Sequence, residues 1–257
     1  MSSLNSPPLV LPLEKLLSGA KELSFVWIPP SRFVMGSGYA ASSGVLDDLA
    51  DAPFEVELSR GCWMSQHPVT QAQWLSLFPG NPSEFVGPNL PVDSVDWHEA
   101  CFFARQLQSV VDGYLPPETC IDLPTEAQWE YGCSAGSTSR FSVGDEESDL
   151  ARTAWYAANS GGSTHPVGSK ASNSWHIFDM IGNVAEWCRD GAEDYPSGFQ
   201  RDWEGMNAFN KIIRGGAWST SHPGDLLSVK GRGYLESTFR SSWVGFRLVI
   251  SVDHHGA

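Results

Sequence analysis

The chain has 257 residues, 41% of them hydrophobic, and its 11 tryptophans are enough to build a sizeable core. Its 30 acidic and 16 basic residues give a net charge of −14, which repels phosphate backbones and anionic lipids. We therefore expect neither nucleic-acid nor membrane partners. The 25 glycines and 17 prolines predict a loop-rich fold with short elements.

The first 24 residues are predicted to form an N-terminal extension with one short amphipathic helix between positions 11 and 24. The start, MSSLNSPPLVLPLEKLL, has neither the basic residues nor the long apolar stretch of a signal peptide. The sequence also contains no apolar run of about 18 residues that would span a membrane. These features predict a cytoplasmic protein.

Strand and helix signals follow one another in the first half of the chain. FVWIPPSRFVMGS, residues 25–37, is typical of a strand interrupted by a Pro-Pro turn, and the alternation in FEVEL predicts another strand from Phe54. Three capping-box patterns predict helices that begin after Thr70, Asp96 and Thr125, because each is followed three residues later by Gln or Glu.

Helical signals almost vanish after residue 136, and the only clear strand there is WVGFRLVISV, residues 243–252. A helical first half and a loop-rich second half without a break in composition predict one α+β domain over residues 25–252. Residues 253–257 are expected to be a flexible tail. The five cysteines have no zinc-ligand spacing and stand beside apolar or aromatic residues, so we expect buried, reduced thiols.

Eight phrases occur in a characteristic order along the chain: FVWIPPSRFVMGS, HPVTQAQW, PVDSVDWHEA, LPTEAQWEYG, YAANSGGSTHPVGS, FDMIGNVAEWCRD, IIRGGAW and VGFRLV. This series resembles the formylglycine-generating-enzyme/sulfatase-modifying-factor family over residues 25–250. The resemblance implies a single, loop-rich, decorated C-type-lectin-like domain. It does not by itself fix the function, because one fold can carry many activities.

The catalytic members of that family use two thiols and a copper ion a few residues beyond the RGG turn. The resemblance places those thiols at Thr220 and Asp225, and none of the five cysteines lies after residue 188. Cu(I) needs soft thiolate ligands, so we expect no copper and no formylglycine synthesis, and no catalytic residue is assigned. The alternative is a divergent metal-dependent oxidase or oxygenase of the same family.

A calcium site is implied by the resemblance of DMIGNVAE to a calcium loop of the family. The ligands carried over are Asp179, Gly182, Val184 and Glu186, an oxygen-only set of the kind calcium accepts. The alternative is that Asp179 caps a turn and Glu186 pairs with a buried arginine. Arg247, in GFR, is itself expected to hold a buried carboxylate or carbonyl.

The segment between RGGAW and GFR, within residues 214–247, is the predicted binding surface for a protein or small ligand. Its mixture of small polar, aromatic and charged residues resembles an adaptable paratope. The predicted contact residues are Ser219, Thr220, Ser221, His222, Asp225, Lys230, Arg232, Tyr234, Glu236 and Trp243. The alternative is a solvated loop that merely closes the domain.

A narrower hypothesis is that this segment is diversified. Variable proteins of diversity-generating retroelements share the lectin-like fold and vary between the RGG turn and the GFR strand. STSH at 219–222 and GY at 233–234 are compatible with adenine-directed mutagenesis of asparagine codons. Ser228, Lys230 and Arg232, however, stand where such proteins usually have Arg-x-Ala-x-Arg.

Overall fold

Four α-helices and one short 3-10 helix (Asp112–Tyr114) are present in the computed structural model, which describes residues 9–11, 22–37, 52–221 and 226–252. The three predicted capping boxes are confirmed, with the side chain of the cap and that of the third helical residue bonded reciprocally in each. The helices are α1 (Gln71–Leu77), α2 (Trp97–Val111), α3 (Glu126–Ser134) and α4 (Glu147–Thr153).

Twelve short strands form three sheets in the described part of the chain. The strands are β1 (Leu9–Leu11), β2 (Leu23–Ile28), β3 (Ser31–Met35), β4 (Phe54–Leu58), β5 (Cys62–Ser65), β6 (Thr119–Asp122), β7 (Ala185–Gly191), β8 (Gln200–Arg201), β9 (Asn210–Arg214), β10 (Arg232–Glu236), β11 (Val244–Gly245) and β12 (Val249–Val252). Their orders are β1-β2-β5-β12-β6, β10-β9-β7-β11 and β3-β4-β8. The predicted loop-rich α+β fold is confirmed.

The second half of the chain contains more strand than its sequence indicates. Strand β7 is buried along almost its whole length, so it lacks the alternation that marks a half-exposed strand. The predicted strand over 243–252 is divided into β11 and β12, which belong to different sheets. Residues 246–248 carry the chain between those sheets, and Arg247 is buried at the crossing.

The structure describes only part of the predicted N-terminal extension, residues 9–11 and 22–24. Residues 9–11, expected in an extension, pair with β2 in the register Leu9↔Phe25, and Leu11 is buried in the core. Most of the helix predicted over 11–24, and the tail predicted at 253–257, lie outside the described residues.

Large aromatic side chains hold the sheets and helices together. Trp129 and Trp187 are fully buried, in two separate clusters of the core. Four of the five cysteines, Cys62, Cys101, Cys133 and Cys188, are buried free thiols. Burial raises the pKa of the Cys62 thiol to about 12, which keeps it protonated. In the described ranges no helix is long and apolar enough to cross a lipid bilayer.

Candidate functional site

A buried cluster of two ion-paired arginines and two glutamates supports the predicted binding segment. Arg214, the last residue of β9, donates to Glu126 at 3.2 Å and to Glu130, and both glutamates project from α3. Arg232, the first residue of β10, donates through Nε and Nη2 to the two oxygens of Glu126, at 2.9 Å each. All four side chains are almost completely buried, and we call them the ion-pair cluster.

The ion-pair cluster ties both ends of the segment to one helix. Arg214 also donates to the carbonyl oxygen of Val229 at 2.9 Å, so the two ends are bonded to each other. Burial acts to lower the pKa of Arg214, but the charges of Glu130 and neighbouring groups outweigh it and hold the pKa above its usual range. We call residues 214–216 and 229–232 the loop stem.

A further contact links the loop stem to Gly36, the residue that follows β3. The Nζ of Lys230 donates to the carbonyl oxygen of Gly36 at 2.8 Å, and the amide of Gly36 donates to Glu130 at 3.1 Å. Lys230 and Arg232, both predicted to contact a ligand, are therefore held by the protein itself. Arg232 lies in the core and not on the surface.

The RGG turn has a backbone that only glycine fits. Gly215 has a φ of 89°, and a Cβ there would lie 2.6 Å from the carbonyl oxygen of Met180. The carbonyl oxygen of Gly215 accepts from the amide of Gly182 at 2.9 Å. The turn therefore fixes the direction in which the chain leaves β9.

Beyond the turn, the chain rises to the surface at Ser219–Ser221, which we call the loop tip. Ser219 and Ser221 are exposed, whereas Thr220 is half-buried. The Thr220 hydroxyl accepts from the amide of Ala217 at 3.0 Å, and its carbonyl oxygen accepts from the amide of Ala157 at 3.1 Å. Thr220 therefore shapes the loop tip while the two serines face solvent. His222 and Asp225 lie outside the described residues.

Trp218, which directly precedes the loop tip, anchors it through contacts with other loops. Its indole Nε1 donates to the carbonyl oxygen of Ser242 at 3.0 Å, and Phe85 meets its ring edge-to-face at 5.4 Å. The carbonyl oxygen of Trp218 accepts from the Ser160 hydroxyl at 2.9 Å. Three other loops thus meet at the base of the loop tip.

The remaining predicted contact residues lie elsewhere. Tyr234 packs on the core cluster that contains Trp129, whereas Trp243 packs on the cluster that contains Trp187 and lies 5.7 Å from the Phe239 ring. Glu236 is exposed at the end of β10 that is remote from the loop tip. The predicted set is thus distributed over several places, and its exposed part next to the RGG turn is the loop tip.

The predicted calcium ligands are buried together but do not fit a divalent cation. Both oxygens of Glu186 accept from Arg247, at 2.6 and 2.7 Å, as expected for the alternative of a buried ion pair. One of those oxygens also accepts from the Trp129 indole at 2.7 Å. Asp179 accepts from the amide of Gly168 at 2.7 Å, and Gly182 and Val184 are part of the same buried turn. Calcium binding stays a prediction, and these contacts speak against it.

Neither position that the family resemblance assigns to a copper-binding thiol is a cysteine in this chain. Thr220 stands at one thiol position and uses its hydroxyl within the turn. Across the part of the chain that the structure describes, no three His, Cys, Asp or Glu side chains converge into a metal-binding group. The absence of copper stays a prediction, which rests on Thr220 and Asp225 standing at the two thiol positions.

A buried acid beside the ion-pair cluster makes the fold sensitive to pH. Asp190 accepts from the amides of Glu126 at 2.6 Å and Gly205 at 3.2 Å. Burial, reinforced by the charges of Glu126 and Glu204, raises the pKa of Asp190 from 3.8 to about 8. Between about pH 4 and pH 8 we therefore expect the folded protein to keep a proton on Asp190 that the unfolded chain releases.

We expect the free energy of unfolding to fall as the pH rises from about 4 to about 8. The contribution of Asp190 is complete below its unfolded pKa and is lost as the pH rises through its folded pKa of about 8. Urea denaturation at a series of pH values measures this slope, and Asp190→Asn should flatten it. An identical slope in the variant would show that another group is responsible.

The ion-pair cluster escapes sequence-based reasoning. TEAQWE predicts a helix start and a core tryptophan, and Glu126 and Glu130 then resemble ordinary surface residues of a helix. Their spacing of four places both carboxylates on one face, which is the one available signal. The arginines that they bind are 88 and 106 residues away from Glu126, beyond any local pattern.

Comparisons with known proteins agree with this architecture. A model of the sulfatase-modifying factor enzyme 1-like domain matches residues 17–252. The chain is 28% identical over 214 residues to Chaperone protein LppX of Paenibacillus barcinonensis, covering 66% of this chain and 74% of that protein. It is 28% identical over 206 residues to the formylglycine-generating enzyme of Mycobacterium tuberculosis, covering 57% and 68% of the two chains.

A solved structure shows the same fold over nearly the whole length. Treponema denticola variable protein 1 matches with a TM-score of 0.82 and 26% sequence identity, covering 95% of this chain and 99% of that chain. The order of motifs, the three sheets and the RGG turn thus point to one family. The chain belongs to the family of sulfatase-modifying factor enzyme 1-like domains.

Proposed function

We propose that this protein is a non-enzymatic binding protein that contacts a protein or small ligand through the loop tip. The observation that carries the proposal is the contrast between the loop tip and the loop stem. Ser219 and Ser221 are exposed, whereas Arg214 and Arg232, on either side of them, are locked to α3 by buried ion pairs. Such a loop presents small polar side chains at a fixed position without carrying the stability of the fold.

The chemistry of the loop tip favours binding over catalysis. Hydroxyl groups that can both donate and accept suit adaptable recognition. A nucleophilic serine or threonine would instead need a base within hydrogen-bonding reach. The Thr220 hydroxyl is engaged by a backbone amide of its own turn.

Two of the similar proteins support a binding role. One is named a chaperone and one a variable protein, and neither name describes an oxidase. We extend this to the narrower proposal that the segment beyond the RGG turn is diversified by a retroelement. A reverse-transcriptase gene and a near-copy of the region encoding residues 214–247 in the neighbouring DNA would support it, and their absence would remove it.

We expect Ser219→Arg with Ser221→Arg to abolish partner capture while the melting temperature stays close to that of the wild type. Both serines are exposed, and exposed substitutions typically change stability by about ±0.5 kcal/mol or less each. The measurement is quantitative capture from native lysate with the full chain as bait. The matched control is Ser109→Arg with Ser197→Arg, which makes the same charge change at exposed positions in α2 and in the segment before β8.

For at least one protein that the wild type and the control both capture, the captured amount should be tenfold or more lower with the loop-tip variant. If the loop-tip variant retains everything that the wild type retains, the loop tip is only a closure of the domain.

The alternative function is a metal-dependent oxidase or oxygenase, which the likeness to a formylglycine-generating enzyme keeps in view. Elemental analysis of protein purified without chelator distinguishes the two functions. A binding protein should contain no stoichiometric copper or iron. One equivalent of either metal would favour the oxidase.

A further inference from the structure

We propose that the guanidinium of Arg247 is a built-in cation that takes the place of the calcium ion implied by the family resemblance. The protein would then fold and hold its RGG turn without any divalent metal. This inference does not depend on what the loop tip binds.

The first support is the pairing of Arg247 with Glu186. Nε donates to one carboxylate oxygen at 2.6 Å and Nη2 to the other at 2.7 Å, and both side chains are fully buried. A bidentate pair of this kind uses the carboxylate edge that a calcium ion would use. The Trp129 indole occupies a further acceptor direction of the same carboxylate at 2.7 Å.

The second support is the use of backbone oxygens around the same guanidinium. Arg247 donates to the carbonyl oxygens of Ser65 at 3.1 Å, Phe178 at 2.9 Å and Asp179 at 3.3 Å. Calcium sites combine carboxylates with carbonyl oxygens in this way. Arg247 thus binds a carboxylate and three carbonyl oxygens, which are the donor types that a calcium ion would need.

The third support is the charge balance. Arg247 brings one positive charge to a buried region that holds the carboxyl groups of Asp179 and Glu186. Asp179 accepts from the amide of Gly168 at 2.7 Å, so its carboxyl group is also held by the protein itself. A divalent ion would have to enter beside a buried guanidinium of like sign, which is unfavourable in a medium of low polarity.

The location connects this cation to the loop stem. Glu186 on β7 lies directly opposite Arg214 on β9 in the sheet register. The Trp129 ring, whose nitrogen binds Glu186, lies 5.1 Å from the Arg214 guanidinium. Arg247 therefore stabilises the same framework that carries the RGG turn.

The test is thermal unfolding of the full chain in millimolar calcium and in chelator at equal ionic strength. We expect identical melting temperatures, and no tryptophan-sensitised emission when terbium replaces calcium, although Trp129 would be in contact with an ion at Glu186. A melting temperature that rises with calcium, and no longer rises in Glu186→Gln, would overturn the proposal.

The matched variant is Arg247→Met, which frees the oxygens of Glu186 for a metal. We expect it to gain terbium emission and to melt higher in calcium than in chelator. A folded Arg247→Met protein that gains neither would also count against the proposal. If this variant does not fold, the wild-type comparison decides on its own.

Discussion

Replacing Arg214 with methionine should lower the free energy of unfolding by about 3–5 kcal/mol, because it leaves buried carboxylates without their partner. Glu130 would lose its ion pair, and Glu126 would keep only Arg232. Urea denaturation measures the loss. Arg152→Met is the control, since Arg152 is 59% exposed and pairs with Asp149 at 3.4 Å on the surface. That pair should contribute only about 0–1 kcal/mol.

A double variant separates the ion pair from simple packing. Arg214→Met with Glu130→Gln removes one buried charge of each sign, so it should recover part of the stability lost in Arg214→Met alone. If Arg214→Met costs no more than Arg152→Met, the ion-pair cluster does not hold the loop stem.

Gly215→Ala should destabilise the protein by about 2–5 kcal/mol, which combines backbone strain with overpacking. The residue has a φ of 89°, and the added Cβ would lie 2.6 Å from the Met180 carbonyl oxygen. Gly198→Ala is the control, because Gly198 has a φ of 79° with open space around a Cβ. Gly198→Ala should lower the free energy of unfolding by only about 1–2 kcal/mol, the contribution of backbone strain without overpacking.

Thermal or urea unfolding of both glycine variants gives the comparison. Equal losses of unfolding free energy would mean that the Met180 carbonyl oxygen moves aside at little cost and that the RGG turn is not fixed by its surroundings. A larger loss at Gly215 would instead identify the turn as the rigid base from which the loop tip is presented.

The sequence is sufficient to predict those features that depend on neighbours in the chain. Capping boxes at Thr70, Asp96 and Thr125 mark helix starts because both bonding partners lie within three residues. The order of motifs is likewise a property of the chain, and it leads to the correct fold. Arg247 was expected to hold a buried carboxylate or carbonyl, and it holds Glu186.

Contacts between residues that are far apart in the sequence cannot be predicted from local sequence patterns. Lys230 and Arg232 resemble exposed recognition residues because charged side chains usually face water. The structure instead bonds Arg232 to Glu126, 106 residues earlier, and Lys230 to Gly36, 194 residues earlier. The composition of a loop cannot reveal which of its charges are already paired.

We expect the loop tip to tolerate substitution and the loop stem not to tolerate it. Saturation substitution of Ser219 and Ser221, and separately of Arg214 and Gly215, followed by protease challenge of the displayed protein, tests it directly. We predict that nearly every substitution at the two serines keeps the protease resistance of the wild type, whereas nearly every substitution at Arg214 and Gly215 loses it. Equal losses at the two pairs of positions would show that the loop tip and the loop stem contribute alike to the stability of the fold.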